Sequence, residues 1–146
     1  MHYYLDIETE GIDKDGNNKK YKLADFKNGY TIIYFYPKDD TPVCTQEAYE
    51  FKEAMDKLNK YAAVIGVSSD SIEEHKEFKE KHKLNFILLS DKFNKLKKAF
   101  AEQIKPASEL HRTTIILDKD GNIIKYWEKV DIDGHIKEIL DFFETK

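Results

Sequence analysis

The sequence predicts an α/β fold in which helices cover both faces of a mixed β-sheet. Two apolar, β-branched runs are each followed by an amphipathic helical pattern, which is typical of parallel βαβ units. Further along, two apolar runs flank an Asp-Lys-Asp-Gly-Asn turn and precede a last amphipathic segment. Because parallel units and an antiparallel hairpin then share one sheet, we expect that sheet to be mixed. A length of 146 residues with 40% hydrophobic content fits a single domain over residues 1–146.

The first elements form an N-terminal hairpin followed by a buried strand. Residues 3–7 and 20–23 are expected to be short strands on either side of a turn at 13–17. Residues 31–36 are β-branched and aromatic, and Pro37 ends the run. This composition predicts a buried strand.

The two βα units occupy the middle of the chain. A helix should run from 42 to about 58, because apolar residues recur there at helical spacing: Ala48, Phe51, Met55 and Leu58. Residues 62–67 predict the next buried strand. Ser71 is the expected N-cap of a second helix that reaches about Lys83, with Glu74 completing a capping box.

The last part of the chain should alternate strands with two helices. Residues 86–89 predict a strand and residues 92–100 a short helix. Residues 113–117 and 123–127 have the pattern of a hairpin, and residues 132–143 that of a final amphipathic helix.

Composition and charge narrow the functional class. The net charge of −4 argues against a nucleic-acid partner. The chain shows neither a signal-peptide pattern nor an apolar run long enough to cross a membrane. One cysteine cannot form an internal disulfide, so we expect a reducing, cytoplasmic setting. A group of charged residues should form a solvated helix face: Glu73, Glu74, Lys76, Glu77, Lys79, Glu80 and Lys81.

The single cysteine, Cys44, stands where a helix should begin. With Thr41 as N-cap and Pro42 as the first helical residue, Cys44 becomes the third residue of the helix. Free backbone N–H groups and the helix dipole stabilise an anion there, which favours a thiolate. Asp39 and Asp40 oppose this effect, so a positive group is needed nearby.

Arg112 is the best candidate for that positive group. Of the 24 Lys and Arg residues it alone is an arginine, which suggests a need for its planar, multi-donor geometry. It opens the strand predicted at 113–117, so it reaches Cys44 if the two strand ends are neighbours. Lys38 is a second candidate, expected to be solvated. The alternatives remain that the cysteine is a small core residue and the arginine a surface residue.

The spacing Pro37-x3-Thr41-x2-Cys44 resembles the active-site motif of the peroxiredoxins. The run around it is most similar to the bacterioferritin comigratory protein or peroxiredoxin Q branch. Arg112 and Glu47 match an arginine and a glutamate of that family. The resemblance extends over nearly the whole chain and implies a thioredoxin-like fold with an N-terminal β-hairpin extension.

The resemblance also implies a mechanism, in which the Cys44 thiolate attacks a peroxide and becomes a sulfenic acid. Arg112 and the Thr41 hydroxyl would hold the peroxide oxygens and stabilise the developing charge. Pro37 would shield the sulfur, and Glu47 would orient Arg112. The implied role is antioxidant defence without a cofactor.

The chain departs from the family pattern at two positions. Val43 stands where the branch usually has glycine, and Tyr49 stands where many members have a resolving cysteine. The chain therefore resembles a one-cysteine variant that needs an external thiol, such as thioredoxin, glutaredoxin with glutathione, or a small thiol. A Cys44–Cys44 disulfide between subunits is an alternative. The chain is expected to be a monomer or a homodimer.

Other functions are compatible with parts of this pattern. A thioredoxin-type disulfide oxidoreductase would need a cysteine where Thr41 stands. A non-catalytic redox sensor or chaperone that signals through Cys44 oxidation is the alternative from another class. No metal is expected, because the histidines are scattered. We expect His75 and His82 to be exposed. For His111 we expect a packing role, with a place at the border of the pocket next to Arg112 as the alternative. No phosphate-binding loop is present, so no nucleotide is expected.

Overall fold

The computed structural model describes residues 2–26, 29–106 and 109–145. Its strands and helices alternate along most of the chain. The strands are β1 (Thr9–Ile12), β2 (Asn18–Tyr21), β3 (Tyr30–Phe35), β4 (Ala62–Ser68), β5 (Ile87–Ser90), β6 (Thr113–Leu117) and β7 (Ile123–Trp127). The α-helices are α1 (Pro42–Leu58), α2 (Ile72–His82), α3 (Lys95–Ile104) and α4 (His135–Glu144). Two 3-10 helices, Tyr3–Asp6 and Leu23–Asp25, complete the described elements.

The strands form one mixed sheet in the order β2-β1-β5-β4-β3-β6-β7. Strands β3, β4 and β5 are parallel, whereas the N-terminal hairpin and the β6–β7 hairpin add antiparallel strands at the two sides. The predicted mixed sheet with an N-terminal hairpin is therefore confirmed. In the described part of the chain, no helix has the length and apolarity needed to cross a membrane.

Each face of the sheet carries its own apolar core, because successive strand residues point to opposite faces. One core packs side chains of α1, α2 and α4 against Ile32 and Tyr34 of β3. The other packs α3 and the first 3-10 helix against Ile33 and Phe35. Cys44 belongs to the first of these cores.

The pairing of β3 with β6 places the two parts of the candidate site side by side. The strands are antiparallel, and Phe35 at the end of β3 is opposite Thr113 at the start of β6. The loop that leads from β3 into α1 therefore lies beside Arg112, the residue that precedes β6. The N–H of Val130 donates to the Arg112 carbonyl at 2.9 Å and fixes its backbone.

The prediction of a strand at 3–7 is wrong. These residues form a 3-10 helix, because the Tyr4 ring stacks on Phe100 at 4.2 Å and its hydroxyl donates to the carbonyl of Gly121 at 2.6 Å. The segment therefore covers the second core instead of pairing with a strand. The hairpin strands are β1, absent from the prediction, and β2, which overlaps the predicted 20–23 by two residues.

Two further expectations fail for reasons of packing. The helix expected to begin at 92 begins at Lys95, because the Asp91 carboxylate accepts the N–H groups of Leu96 and Lys97. Lys79 does not lie on a solvated face. It is buried, and Nζ donates to the carbonyls of Leu84 and Phe86 at 2.6 and 3.2 Å. Burial lowers the Lys79 pKa to about 8.

Candidate active site

Cys44 lies in the first turn of α1, as the sequence predicts. Thr41 is the N-cap and Pro42 the first helical residue, so Cys44 is the third. Its side chain is almost fully buried, with 1% of its surface exposed. Unpaired N–H groups of the first turn and the helix dipole favour negative charge at this sulfur.

Arg112 reaches the sulfur from the neighbouring strand. Its Nη2 donates to Cys44 Sγ at 3.4 Å, and its Nη1 donates to Glu47 Oε1 at 2.8 Å. One guanidinium thus spans both side chains, which a lysine cannot do with the same geometry. Burial disfavours the charge of Arg112, but its contacts with Cys44 and Glu47 raise its pKa above the ordinary value.

Glu47 lies one turn after Cys44 on the buried side of α1, with 3% of its side chain exposed. Burial raises its pKa to about 7, and the neighbouring Arg112 charge opposes the rise. The geometry therefore fits the orienting role that the family resemblance implies for Glu47. This role remains a proposal.

Tyr34, which no motif of the sequence singles out, lies beneath the site. Its ring stacks on Phe51 at 4.3 Å and on Tyr36 at 5.3 Å. Its hydroxyl and Glu47 Oε2 are the two buried side-chain polar atoms without a hydrogen-bond partner among the described residues. Burial and the charge of Glu47 raise the pKa of Tyr34 well above its ordinary value, so the phenol stays neutral. In the sequence, the alternating pattern of β3 indicates only that Tyr34 lies on a face of the strand that packs into a core.

The two acids before Cys44 are neutralised by α2 and not by Lys38, which is exposed. Asp39 is buried, and its Oδ2 lies 2.6 Å from Nδ1 of His75. Asp40 is more exposed and pairs with Lys81 at 2.7 Å and with His82 at 2.9 Å. Residues of α2 therefore contact both acids of the loop before the cysteine.

The expectation of an exposed His75 is wrong. The side chain has 0% exposure and Nε2 lies 2.9 Å from the carbonyl oxygen of Leu89. The signal for burial is present in the sequence, since His75, Phe78, Lys79 and His82 recur at the spacing of one helix face. His82 is also partly covered, with 22% of its side chain exposed.

The remaining predicted site residues lie around the same loop. The Thr41 hydroxyl donates to the carbonyl of Lys38 at 3.1 Å and does not cap α1. Pro37 is half-buried and follows β3 by two residues. Tyr49 is 52% exposed, and Lys52 Nζ lies 5.4 Å from its ring centroid. His111 is exposed and lines a surface groove with Arg112, so the packing role expected for it is wrong.

One group of described side chains has the spacing of a metal site. The donor atoms of Asp39, Asp70 and His75 lie within 4.8 Å of one another. Each is engaged by protein groups, since the Ser68 hydroxyl donates to Asp70 at 2.6 Å and the Leu89 carbonyl faces His75. A metal ion would have to displace these hydrogen bonds. The three side chains therefore form part of a hydrogen-bond network.

A family model described as the AhpC/TSA family matches residues 5–126. The chain belongs to the AhpC/TSA family. It is 41% identical over 142 residues to Peroxiredoxin Bcp of Bacillus subtilis (strain 168), covering 92% of this chain and 88% of the relative. It is 38% identical over 135 residues to the chloroplastic Peroxiredoxin Q of Suaeda salsa, covering 90% of this chain and 63% of that protein.

Solved structures agree with this assignment. The bacterioferritin comigratory protein of Xanthomonas campestris, studied for alkyl peroxide reduction, superposes with a TM-score of 0.84 at 29% identity. That match covers 97% of this chain and 92% of the other. PrxQ of Xylella fastidiosa also gives 0.84, at 30% identity, with 99% and 92% of the two chains covered. The chain is thus a peroxiredoxin of the Bcp/Q branch with one cysteine and a thioredoxin-like fold. As such it is a thiol-dependent peroxidase.

Proposed function

We propose that Cys44 is the residue of this peroxiredoxin that reacts with peroxide, and that an external thiol regenerates it. The observation that carries the proposal is the 3.4 Å contact between Cys44 Sγ and Arg112 Nη2 at the start of α1. The helix N-terminus and the guanidinium both stabilise a thiolate there. A guanidinium has five N–H donors, so Arg112 retains donors for the peroxide oxygens.

In the first half-reaction the Cys44 thiolate attacks the terminal oxygen of hydrogen peroxide or an organic hydroperoxide. An S–O bond forms while the O–O bond breaks, so the sulfur is oxidised to a sulfenic acid. The leaving hydroxide or alkoxide takes a proton and departs as water or alcohol. Arg112 and the Thr41 hydroxyl stabilise the charge on the breaking bond, while Glu47 orients the guanidinium and Pro37 shields the sulfur.

In the second half-reaction an external thiolate attacks the sulfenic sulfur. An S–S bond forms and water leaves, after which a second thiol releases Cys44 in its reduced form. The sequence holds no second cysteine, and Tyr49 occupies the position of a resolving cysteine. Thioredoxin, glutaredoxin with glutathione, or a small thiol has the required chemistry. The cytoplasm maintains such reductants, and we place the enzyme there.

The burial of the sulfur adds a requirement to this second step. Only 1% of the Cys44 surface is exposed, so a protein thiol cannot approach the sulfenic acid without movement of the first turn of α1. A small peroxide needs less room. The two half-reactions therefore place opposite demands on the loop before Cys44, which must be fixed for the first and displaced for the second.

Peroxide consumption by wild type and by Cys44→Ser tests the proposal. With dithiothreitol as reductant, wild type should consume hydrogen peroxide in repeated turnovers, and dimedone should trap the sulfenic acid on Cys44. The serine variant should do neither, because its hydroxyl is a far weaker nucleophile than a thiolate. Consumption no faster than with Cys44→Ser would overturn the proposal. Oxidation without turnover would instead support a redox sensor.

A further inference from the structure

Asp39 connects the loop before Cys44 to three other parts of the molecule. Its carboxylate accepts a hydrogen bond from the Tyr36 hydroxyl at 2.6 Å and lies 2.6 Å from Nδ1 of His75. Its backbone N–H donates to Asp70 Oδ2 at 2.8 Å. All four side chains are buried. A buried and fully bonded network of this kind fixes one backbone arrangement.

His75 ties Asp39 to the centre of the sheet. Because a carbonyl oxygen only accepts, the 2.9 Å contact with Leu89 requires a proton on His75 Nε2. The contact with Asp39 is then either an imidazolium facing a carboxylate or a neutral imidazole accepting from a carboxyl group. In both cases the charges of the pair sum to zero. Asp39 can therefore hold the loop without adding a net charge beside the thiolate.

The backbone between Asp39 and α1 needs such support. Asp40 has a φ of 59°, a left-handed conformation that is uncommon for residues other than glycine, although aspartate adopts it more readily than most. Strained conformations of this kind persist where the surroundings fix them. Asp40 is followed at once by the N-cap Thr41, and the helix that carries Cys44 begins one residue later.

We propose that Asp39 and His75 form a positioning pair for the peroxide reaction. By fixing the loop, the pair orients Thr41 and the first turn of α1 so that Cys44 faces Arg112. The inference rests on the proposed function of Cys44. Neither residue takes part in a chemical step, because both act by fixing the backbone of the loop. The reaction depends on this alignment because a displacement of about 1 Å can cost about a hundredfold in rate.

The two half-reactions are measured separately on the full chain. Oxidation of reduced protein by hydrogen peroxide is followed by rapid mixing, alkylation and mass spectrometry. Reduction of the sulfenic acid by dithiothreitol is followed in the same way. His75→Gln keeps a donor near the Nε2 position, towards Leu89, whereas His75→Asn keeps one near Nδ1, towards Asp39. Each variant retains one hydrogen bond of the pair, so the two are matched controls.

We expect His75→Gln to slow oxidation by about tenfold or more and His75→Asn to slow it distinctly less. Reduction by dithiothreitol should be unchanged or faster in both variants. Tyr36→Phe, which removes one hydroxyl bond to Asp39 and keeps the ring, should slow oxidation by a smaller factor. It also tests the proposal if His75→Gln does not fold.

Ser71→Ala separates positioning from stability. It removes the hydroxyl that caps α2 and leaves His75 in place, so it weakens the same helix. We expect normal peroxide oxidation in this variant. The proposal is overturned if Ser71→Ala slows oxidation as much as His75→Gln does. It is also overturned if the two His75 variants lose the same fraction of the oxidation rate, or if every variant oxidises at the wild-type rate. These results would leave a wild-type peroxidase active and its proposed function intact.

Discussion

Two pairs flank Cys44, each formed by a buried acid and a basic side chain, and they differ in what the second nitrogen of the basic side chain contacts. Glu47 pairs with Arg112 at 2.8 Å, and the other terminal nitrogen of Arg112 donates to the sulfur. Asp39 pairs with His75 at 2.6 Å, and the other ring nitrogen of His75 faces the carbonyl of Leu89. One pair therefore ends on the reacting atom and the other on the backbone of the sheet.

This difference assigns the two pairs different effects on the reaction. The Arg112 pair supplies charge and donors at the sulfur, where charge changes during the reaction. The Asp39 pair is neutral as a whole and supplies position alone. Substitutions in the first pair should change the chemistry at constant geometry. Substitutions in the second should change the geometry at constant chemistry.

The largest effect is expected from Arg112→Lys. A lysine keeps the positive charge but presents a single ammonium group, which cannot bond Glu47, the sulfur and a peroxide together. The rate constant for Cys44 oxidation should fall by about a hundredfold or more, the usual loss when a preorganised donor is removed. Stopped-flow, single-turnover oxidation of the reduced protein by hydrogen peroxide measures this rate constant.

Lys129→Arg is the matched control for this change. Lys129 pairs with Arg112 in an isolated β-bridge and lines the same surface groove. Its replacement by arginine is the reverse of Arg112→Lys and is made close to the site. We expect its oxidation rate to match wild type. If Arg112→Lys kept half of the wild-type rate, charge alone would suffice and the contrast between the two pairs would be lost.

A smaller effect, on stability, is expected from Glu47→Gln. The unfolded carboxyl titrates near 4.5, whereas burial raises the folded pKa to about 7. Between these values the folded protein holds a proton that the unfolded chain has lost. This contribution to stability is therefore complete below pH 4.5 and is lost as the pH rises through 7. Its size is on the order of 3 kcal/mol.

Urea unfolding of wild type and Glu47→Gln at pH 4 and pH 8 isolates this contribution. Glutamine does not titrate, so the variant should gain stability relative to wild type as the pH rises. Other titrating groups are common to both proteins and cancel in the difference. A difference that stayed constant across this range would show that the folded pKa of Glu47 equals its unfolded value, so that Arg112 offsets the effect of burial.

The sequence predicts the Arg112 side of this comparison better than the Asp39 side. Thr41 and Pro42 are local signals, so the start of α1 and the place of Cys44 follow from a few neighbouring residues. The approach of Arg112 needs one further step, the pairing of β3 with β6. The hairpin and βαβ patterns in the sequence favour that pairing. The fold class follows from the same patterns.

The Asp39 side depends on contacts that no local pattern encodes. Asp39 and His75 are 36 residues apart, and they meet only because α2 packs its His75 face over the loop. Charged residues surround His75 and Lys79 in the sequence, which suggests a solvated helix. The helical spacing of His75, Phe78 and Lys79 carries the opposite signal, since it defines one face. Tertiary packing decided between the two patterns.

The smallest effect is expected at Asp40, the acidic neighbour of Asp39. Asp40 pairs with Lys81 and His82, which lower its pKa, but the pair is exposed to solvent and to salt. Asn is among the residues that tolerate a left-handed backbone, so Asp40→Asn keeps the conformation with φ near 59° while it removes the charge. Exposed ion pairs contribute little to stability.

Asp40→Asn should therefore leave the urea midpoint unchanged and alter the oxidation rate by less than about twofold. Asp39→Asn, the same change one residue earlier, should slow oxidation severalfold, because it disturbs the buried bond to His75. The two variants differ by one position and have identical chemistry. Equal slowing in both variants would show that the charge of the loop matters and the Asp39 network does not, and wild-type rates in both would show that neither matters. Unequal rates in the expected order would show that burial and bonding, more than charge, place Cys44.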